Sequence, residues 1–219
     1  MNTSFLARPP GVPAATGQSV VISMGILIMA IFPCGKGQVA GRDKVESADS
    51  SNQVVEAARA QVGVTVIYDP SYVALKYPGG DVSSERGVCT DVVIRALRTA
   101  RGMDLQKLVH EDMKANFSKY PRIWGLKRAD RNIDHRRVPN LRTFFKRQGF
   151  SLPVTRTVKD YEPGDLVTCT VPPGLPHIMI VSSRKNSTGV PLIIHNIGRG
   201  TREEDALFAY PLTGHYRLK

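Results

Sequence analysis

From residue 52 onward, apolar positions recur first at helical and then at strand spacing. Val54, Val55, Ala58 and Val62 fall three or four apart behind Ser50 and Ser51, either of which suits an N-cap, so a helix is expected over about 52–62. The turn-rich stretches YDPSY (68–72) and YPGG (77–80) carry the chain to Asp81. Val92, Val93, Ala96, Leu97 and Ala100 form the next apolar stripe and predict a helix that opens at Cys89 and stops at Gly102. Asp104 caps a third helix through Leu105, Leu108, Val109 and Met113. Residues 118–137 have little periodicity and read as a loop. Pro139 starts a fourth helix, with Leu141, Phe144 and Phe145 inward and Gly149 as its stop.

After Gly149 the pattern changes. Glu162-Pro163-Gly164-Asp165 is a turn, and strands are expected at Leu166–Val171, His177–Ser183, Val190–Ile197 and, briefly, near Gly214–Leu218. Helices first and an antiparallel meander afterwards describe an α+β domain, with N-terminal helices packed on an antiparallel β-sheet.

The N-terminal residues read differently. Residues 1–42 hold no acidic residue, and Val20–Phe32 (VVISMGILIMAIF) is an unbroken apolar run. A bilayer span takes about 20 residues, so this run fits a signal-peptide core, with an uncleaved membrane anchor as the alternative. The expected organisation is therefore 1–42 signal peptide or anchor, 43–51 linker and 52–219 folded domain. It implies export to the periplasm or cell envelope, with possible membrane association through the N-terminal segment.

Thirty Lys and Arg against nineteen Asp and Glu give a net charge of +11. Such a chain is drawn to polyanions, including an anionic cell wall. The densest basic stretch, Lys127 to Arg142, is interrupted by Asp130 and Asp134. It lacks a zinc-finger spacing or a stacking-aromatic signature, so a nucleic-acid partner is not expected. A monomer is expected, and no cofactor is implied.

Three residues carry candidate chemistry. Cys89 stands at the start of a helix, where free N–H groups and the helix dipole stabilise a thiolate and supply donors for an oxyanion. Set against this is the ordinary role of a small buried hydrophobe. His177 opens a strand just after PPGLP, in phase with Met179 and Val181. His195 lies on the following strand in phase with Ile193, so adjacent antiparallel strands bring the two rings together as a base and the group that orients it. Asn196 remains the alternative for the orienting role. Cys169 alternates with Val167 and Val171 and reads as core.

A cysteine opening a helix, GDLV (164–167), HIMIV (177–181) and a polar residue on the next strand resemble the NlpC-type cell-wall peptidases of the papain-like clan. More closely, the segment from Tyr68 to Arg217 resembles the bacterial family catalogued as domain of unknown function 1287. The likeness rests on YDPSY, YPGGDV (77–82), RGVCTDVVIRA (86–96), NIDHRR (132–137), GDLVT, PHIMIVS (176–182), HNIGRG (195–200) and GHYR (214–217). It implies a papain-like (NlpC-type) fold in which Cys89 is the nucleophile, His177 the base and His195 the third member. Tyr68, Tyr77, Asp81, Thr90 and Asp91 are the substrate-binding candidates it brings with it, each with a structural role in the loop or helix end as the alternative. The NlpC-type enzymes usually flank the cysteine with Asp and Ser, residues tied to the stem peptide, whereas Val88 and Thr90 stand here.

The implied reaction is acyl transfer through a thioester, with peptidoglycan stem peptides or muropeptides as the expected substrate and a thiol pKa below its free value of about 8.5. Other readings are an acyltransferase on the same scaffold, a non-catalytic cell-wall binding module, and a metal hydrolase drawing on His110, His135, His177, His195 or His215. No two of those histidines have the spacing of a zinc pair, so no metal is expected.

Overall fold

A computed structural model describes residues 49–218 of the chain. The expected signal peptide or anchor, and all of the linker before residue 49, lie outside the described residues.

Helix α1 covers residues 49–59, three residues earlier than its apolar spacing predicts. The turn that follows takes in Val62, which is exposed and belongs to no helix face. Helix α2 is Cys89–Arg101 and ends at Gly102, whose left-handed φ of 62° lets its N–H turn back to the Arg98 carbonyl at 3.1 Å. Helix α3, Leu105–Ala115, is capped by the Asp104 carboxylate, which accepts the Gln106 N–H at 3.1 Å. Helix α4, Val138–Arg147, has Pro139 in its first turn, where the missing N–H costs nothing.

Two short strands, β1 (Ile67–Tyr68) and β2 (Arg86–Gly87), pair in parallel. The main sheet is built from β3 (Ser151–Leu152), β4 (Leu166–Val171), β5 (Leu175–Lys185), β6 (Pro191–Asn196), β7 (Thr201–Glu204) and β8 (Leu212–Tyr216). Its order is β3-β8-β4-β5-β6-β7 and every pairing is antiparallel. The three longest strands were legible, whereas β7 (TREE) carries no apolar alternation and the two-residue strands are too short to show a period.

Both faces of the sheet are covered. On one, Leu166, Ile178, Ile180 and Ile194 meet Val92, Val93, Leu97, Leu141 and Phe145 from the helices. On the other, Val167, Cys169, Met179, Val181 and Ile193 pack with Tyr161 and Leu207 from the connecting loops. The turn before β4 is pinned by charge. Asp165 accepts from Arg217 at 2.7 and 2.8 Å and pairs with His215 at 2.7 Å. Gly164 has a φ of 85°, and a Cβ there would come within 2.8 Å of the Ser51 carbonyl of α1.

Phe145 is fully buried and touches both Phe144 and Tyr216. Phe145→Ala should destabilise the domain by about 3–5 kcal/mol, measured by urea unfolding; a loss under about 1 kcal/mol would show that the helix–sheet seam is not the stabilising core.

Candidate active site

The start of α2 lacks a capping side chain of its own, because its N-cap is Val88. Asp91 supplies the missing acceptor, its Oδ2 taking the Val88 N–H at 2.7 Å, and its charge suits the positive end of the helix. The same carboxylate receives a two-pronged contact from Arg136, Nε to Oδ1 at 2.9 Å and Nη2 to Oδ2 at 3.0 Å. The two side chains are only 2% and 3% exposed. Arg136 also donates to the carbonyls of Ser71 at 3.0 Å and Asp69 at 3.2 Å, and Thr90 Oγ1 donates to the Arg136 carbonyl at 3.1 Å. From the sheet, Asn196 Nδ2 donates to the Gly87 carbonyl at 3.0 Å. Four separate segments thus converge on the residues around Cys89.

The two strand histidines also meet. Ile180 faces Ile194 across β5 and β6, which sets His195 diagonal to His177. His177 Nε2 and His195 Nδ1 are 2.8 Å apart with the rings steeply inclined, so one of these nitrogens carries the shared proton. His195 Nε2 reaches 3.5 Å from Glu204 Oε2 on β7, a long contact. Among the described residues, His177 Nδ1 makes no hydrogen bond.

Cys89 belongs to the helix side of the sheet. By alternation the two rings share the sheet face of Met179 and Val181, whereas α2 packs on the face of Ile178 and Ile180. The thiol lies beside the backbone of Ile178, the residue next to His177, and among the described residues no hydrogen bond joins it to either ring. It lines a cavity of about 200 Å³ together with Tyr68, Trp124, Arg136, Arg137 and Pro176. The Arg137 guanidinium sits 4.1 Å from the Trp124 ring.

Burial decides the proton states. It pushes the Cys89 thiol up to about 12, partly offset by the Ile178 amide and reinforced by the Asp91 charge. It pulls His177 down to about 3, with the neighbouring His195 adding to the effect. His195 is lowered by burial too, against the pull of Glu204. All three groups are therefore neutral near pH 7, and the lowered thiol pKa expected from the sequence does not hold in this state. Dehydration outweighs the amide donors at the helix start.

Of the substrate-binding candidates, Tyr68 alone lines the cavity with Cys89. Thr90 and Asp91 are buried and occupied by Arg136 and the helix start, so they position the site instead of facing into it. Asp81 pairs with Arg95 at 2.8 Å, and Tyr77 packs edge-on against His110, both away from the cavity lining. Asn196 braces the loop before Cys89, which leaves the contact with His177 to His195. Trp124, Arg136, Arg137 and Glu204 were missed by the sequence reading. Arg136 and Arg137 fall in NIDHRR, one of the motifs that carry the family resemblance, and in the basic stretch, but neither gave them a place at the site. Cys169 is core, as read. Among the described residues no group of three His, Cys, Asp or Glu side chains stands close enough to hold a metal ion.

A family model described as Domain of unknown function (DUF1287) matches residues 55–218. The chain is also 55% identical over 170 residues to the uncharacterized protein YijF of Escherichia coli (strain K12), an alignment covering 78% of this chain and 82% of that protein.

The proton states have a direct consequence. A thiol near 12 and a ring near 3 are both uncharged across the range between them. Alkylation of Cys89 by iodoacetamide in the ligand-free protein, mapped by mass spectrometry, should rise by about tenfold per pH unit from 7 to 10. A rate already on a plateau at pH 6 would mean that the thiolate–imidazolium pair forms without a ligand.

Proposed function

The chain belongs to the DUF1287 family, and within it we propose a cysteine hydrolase of the papain-like, NlpC type that cleaves an amide bond through a thioester on Cys89. What supports this reading most is the 2.8 Å contact between His177 Nε2 and His195 Nδ1, with a nucleophile at a helix start beside the same strand end. That contact leaves His177 Nδ1 without a partner and orients the ring, which is the role an orienting group has in nucleophilic catalysis.

The steps follow from these positions. Substrate entering the cavity at Cys89 and the strand end brings polar atoms into a dehydrated site and shifts the thiol and ring toward their charged forms. His177 takes the thiol proton and the sulfur attacks the carbonyl carbon. The backbone amides at the start of α2 face the developing oxyanion. His177 returns the proton to the leaving amine, and water then releases the acid and restores the thiol. His195 and Glu204 spread the imidazolium charge while it exists. Proton transfer of this kind is worth about 100- to 10,000-fold in rate.

Peptidoglycan stem peptides or muropeptides are the proposed substrate, reached by export to the cell envelope. The reading draws on the net charge of +11, the apolar run at 20–32 and the likeness to cell-wall peptidases. A second reading, a binding module that holds its ligand without turning it over, is favoured by the neutral buried thiol and the lack of a hydrogen bond between sulfur and ring.

Purified muropeptides incubated with the protein and resolved by mass spectrometry separate the two. Wild type should yield new amine and acid termini. Cys89→Ser and His177→Ala should each lose about a thousandfold or more, and His195→Ala less, all with intact folds. Cleavage that survives Cys89→Ser sinks the hydrolase reading, and binding without cleavage by wild type supports the module.

A further inference from the structure

Next to the Cys89 cavity lies a larger, open one of about 880 Å³, walled by Tyr72, His110 and residues 125–132. Its walls are fixed from behind. Tyr72 Oη donates to Asp130 at 3.1 Å and accepts from Asn132 Nδ2 at 2.8 Å, while Asn132 Oδ1 accepts the Leu75 N–H at 3.0 Å. Deeper in, the buried Gln106 donates to the Arg131 carbonyl at 3.2 Å, and the buried Asp134 carboxylate accepts the Asp130 N–H at 2.5 Å.

The charge on that frame is unbalanced. Lys127, Arg128 and Arg131 are exposed along the wall, and among the described residues none of the three forms an ion pair. Arg131 only leans over the Tyr77 ring, at 5.6 Å. The single carboxylate in the wall, Asp130, is taken by Tyr72 and by the Asn132 N–H at 2.9 Å. His110 keeps its Nδ1 buried with no hydrogen-bond partner. Three like charges held around one concavity repel one another and raise the local concentration of anions.

We infer that this cavity binds a phosphate-bearing organic ligand, with its phosphate group held between Lys127, Arg128 and Arg131. A single carboxylate leaves that charge under-compensated, whereas a phosphoryl dianion offers three acceptor oxygens and matches the fork of a guanidinium. The volume is that of an organic ligand, several times larger than a bare inorganic ion needs, and Leu126 and Ala129 give the organic part an apolar wall. Segments 68–72 and 124–137 contribute to both this cavity and that of Cys89, so a ligand here holds two walls of the neighbouring site. The inference goes beyond the hydrolase reading and does not depend on it.

Trp124, the only tryptophan of the chain, lines the neighbouring Cys89 cavity one residue before this wall, so its emission is followed and variants at Arg128 and Arg131, which line this cavity alone, assign the change. The full chain is titrated with inorganic pyrophosphate, with succinate as a non-phosphate anion and, in parallel, with phosphatidylcholine vesicles with and without phosphatidylglycerol. A saturable change with pyrophosphate, weakened by salt and weakened about tenfold or more by Arg128→Ala and by Arg131→Ala at unchanged Tm, supports a soluble phosphoryl ligand. Saturation only by the anionic vesicles, lost in the same variants, supports a lipid headgroup as the source of that chemistry. No response to either probe, a response the variants share with wild type, or an equal response to succinate overturns the inference.

Discussion

Two charges with almost no access to water, Asp91 and Arg136, meet across 45 residues of chain, and the surroundings of Cys89 are arranged around them. Removing a carboxylate and a guanidinium from water costs several kcal/mol each, and attraction offsets that only when every polar atom finds a partner. Here the match is close. Asp91 accepts from Val88 and twice from Arg136, while two further donors of Arg136 reach the carbonyls of Ser71 and Asp69. The pair therefore caps α2 from within and holds both the approach segment and the basic loop against the same helix end. The sheet adds its own tie through Asn196.

This arrangement trades reactivity for order. Closing the segments over the cysteine dehydrates it, and dehydration is the largest influence on the thiol and on both strand imidazoles. The ligand-free site is accordingly neutral. His177 and His195 stand on one face of the sheet and the helices on the other, so Cys89 reaches the backbone of Ile178 at the strand end and no hydrogen bond joins its sulfur to either ring. Under the proposed hydrolase reading, a substrate entering there would change the solvation of every group it touches, and the pocket would acquire charge only when occupied.

Much of this was readable from residue order, and the reasons for the rest are physical. Helices α2, α3 and α4 declared themselves because an apolar stripe and a stop or cap coincided, as at Gly102 and Asp104. The meeting of His177 with His195 followed from alternation on neighbouring strands. Glu204 was hidden because β7 is polar throughout and gains its place by pairing with β6 alone. Arg136 was hidden for a different reason. A buried arginine and an exposed one look alike in sequence, and nothing local to NIDHRR says that its partner is Asp91. The proton state of Cys89 was misread for the same cause, since a helix start favours a thiolate but burial, which opposes it, depends on distant segments.

The most direct test of this account is a double-mutant cycle on Asp91→Ala and Arg136→Met, followed by urea unfolding. Each single change should cost about 3–5 kcal/mol by leaving one buried charge uncompensated, and the double variant should lose clearly less than their sum. Small, additive losses of under about 1 kcal/mol would contradict the claim that this pair organises the site.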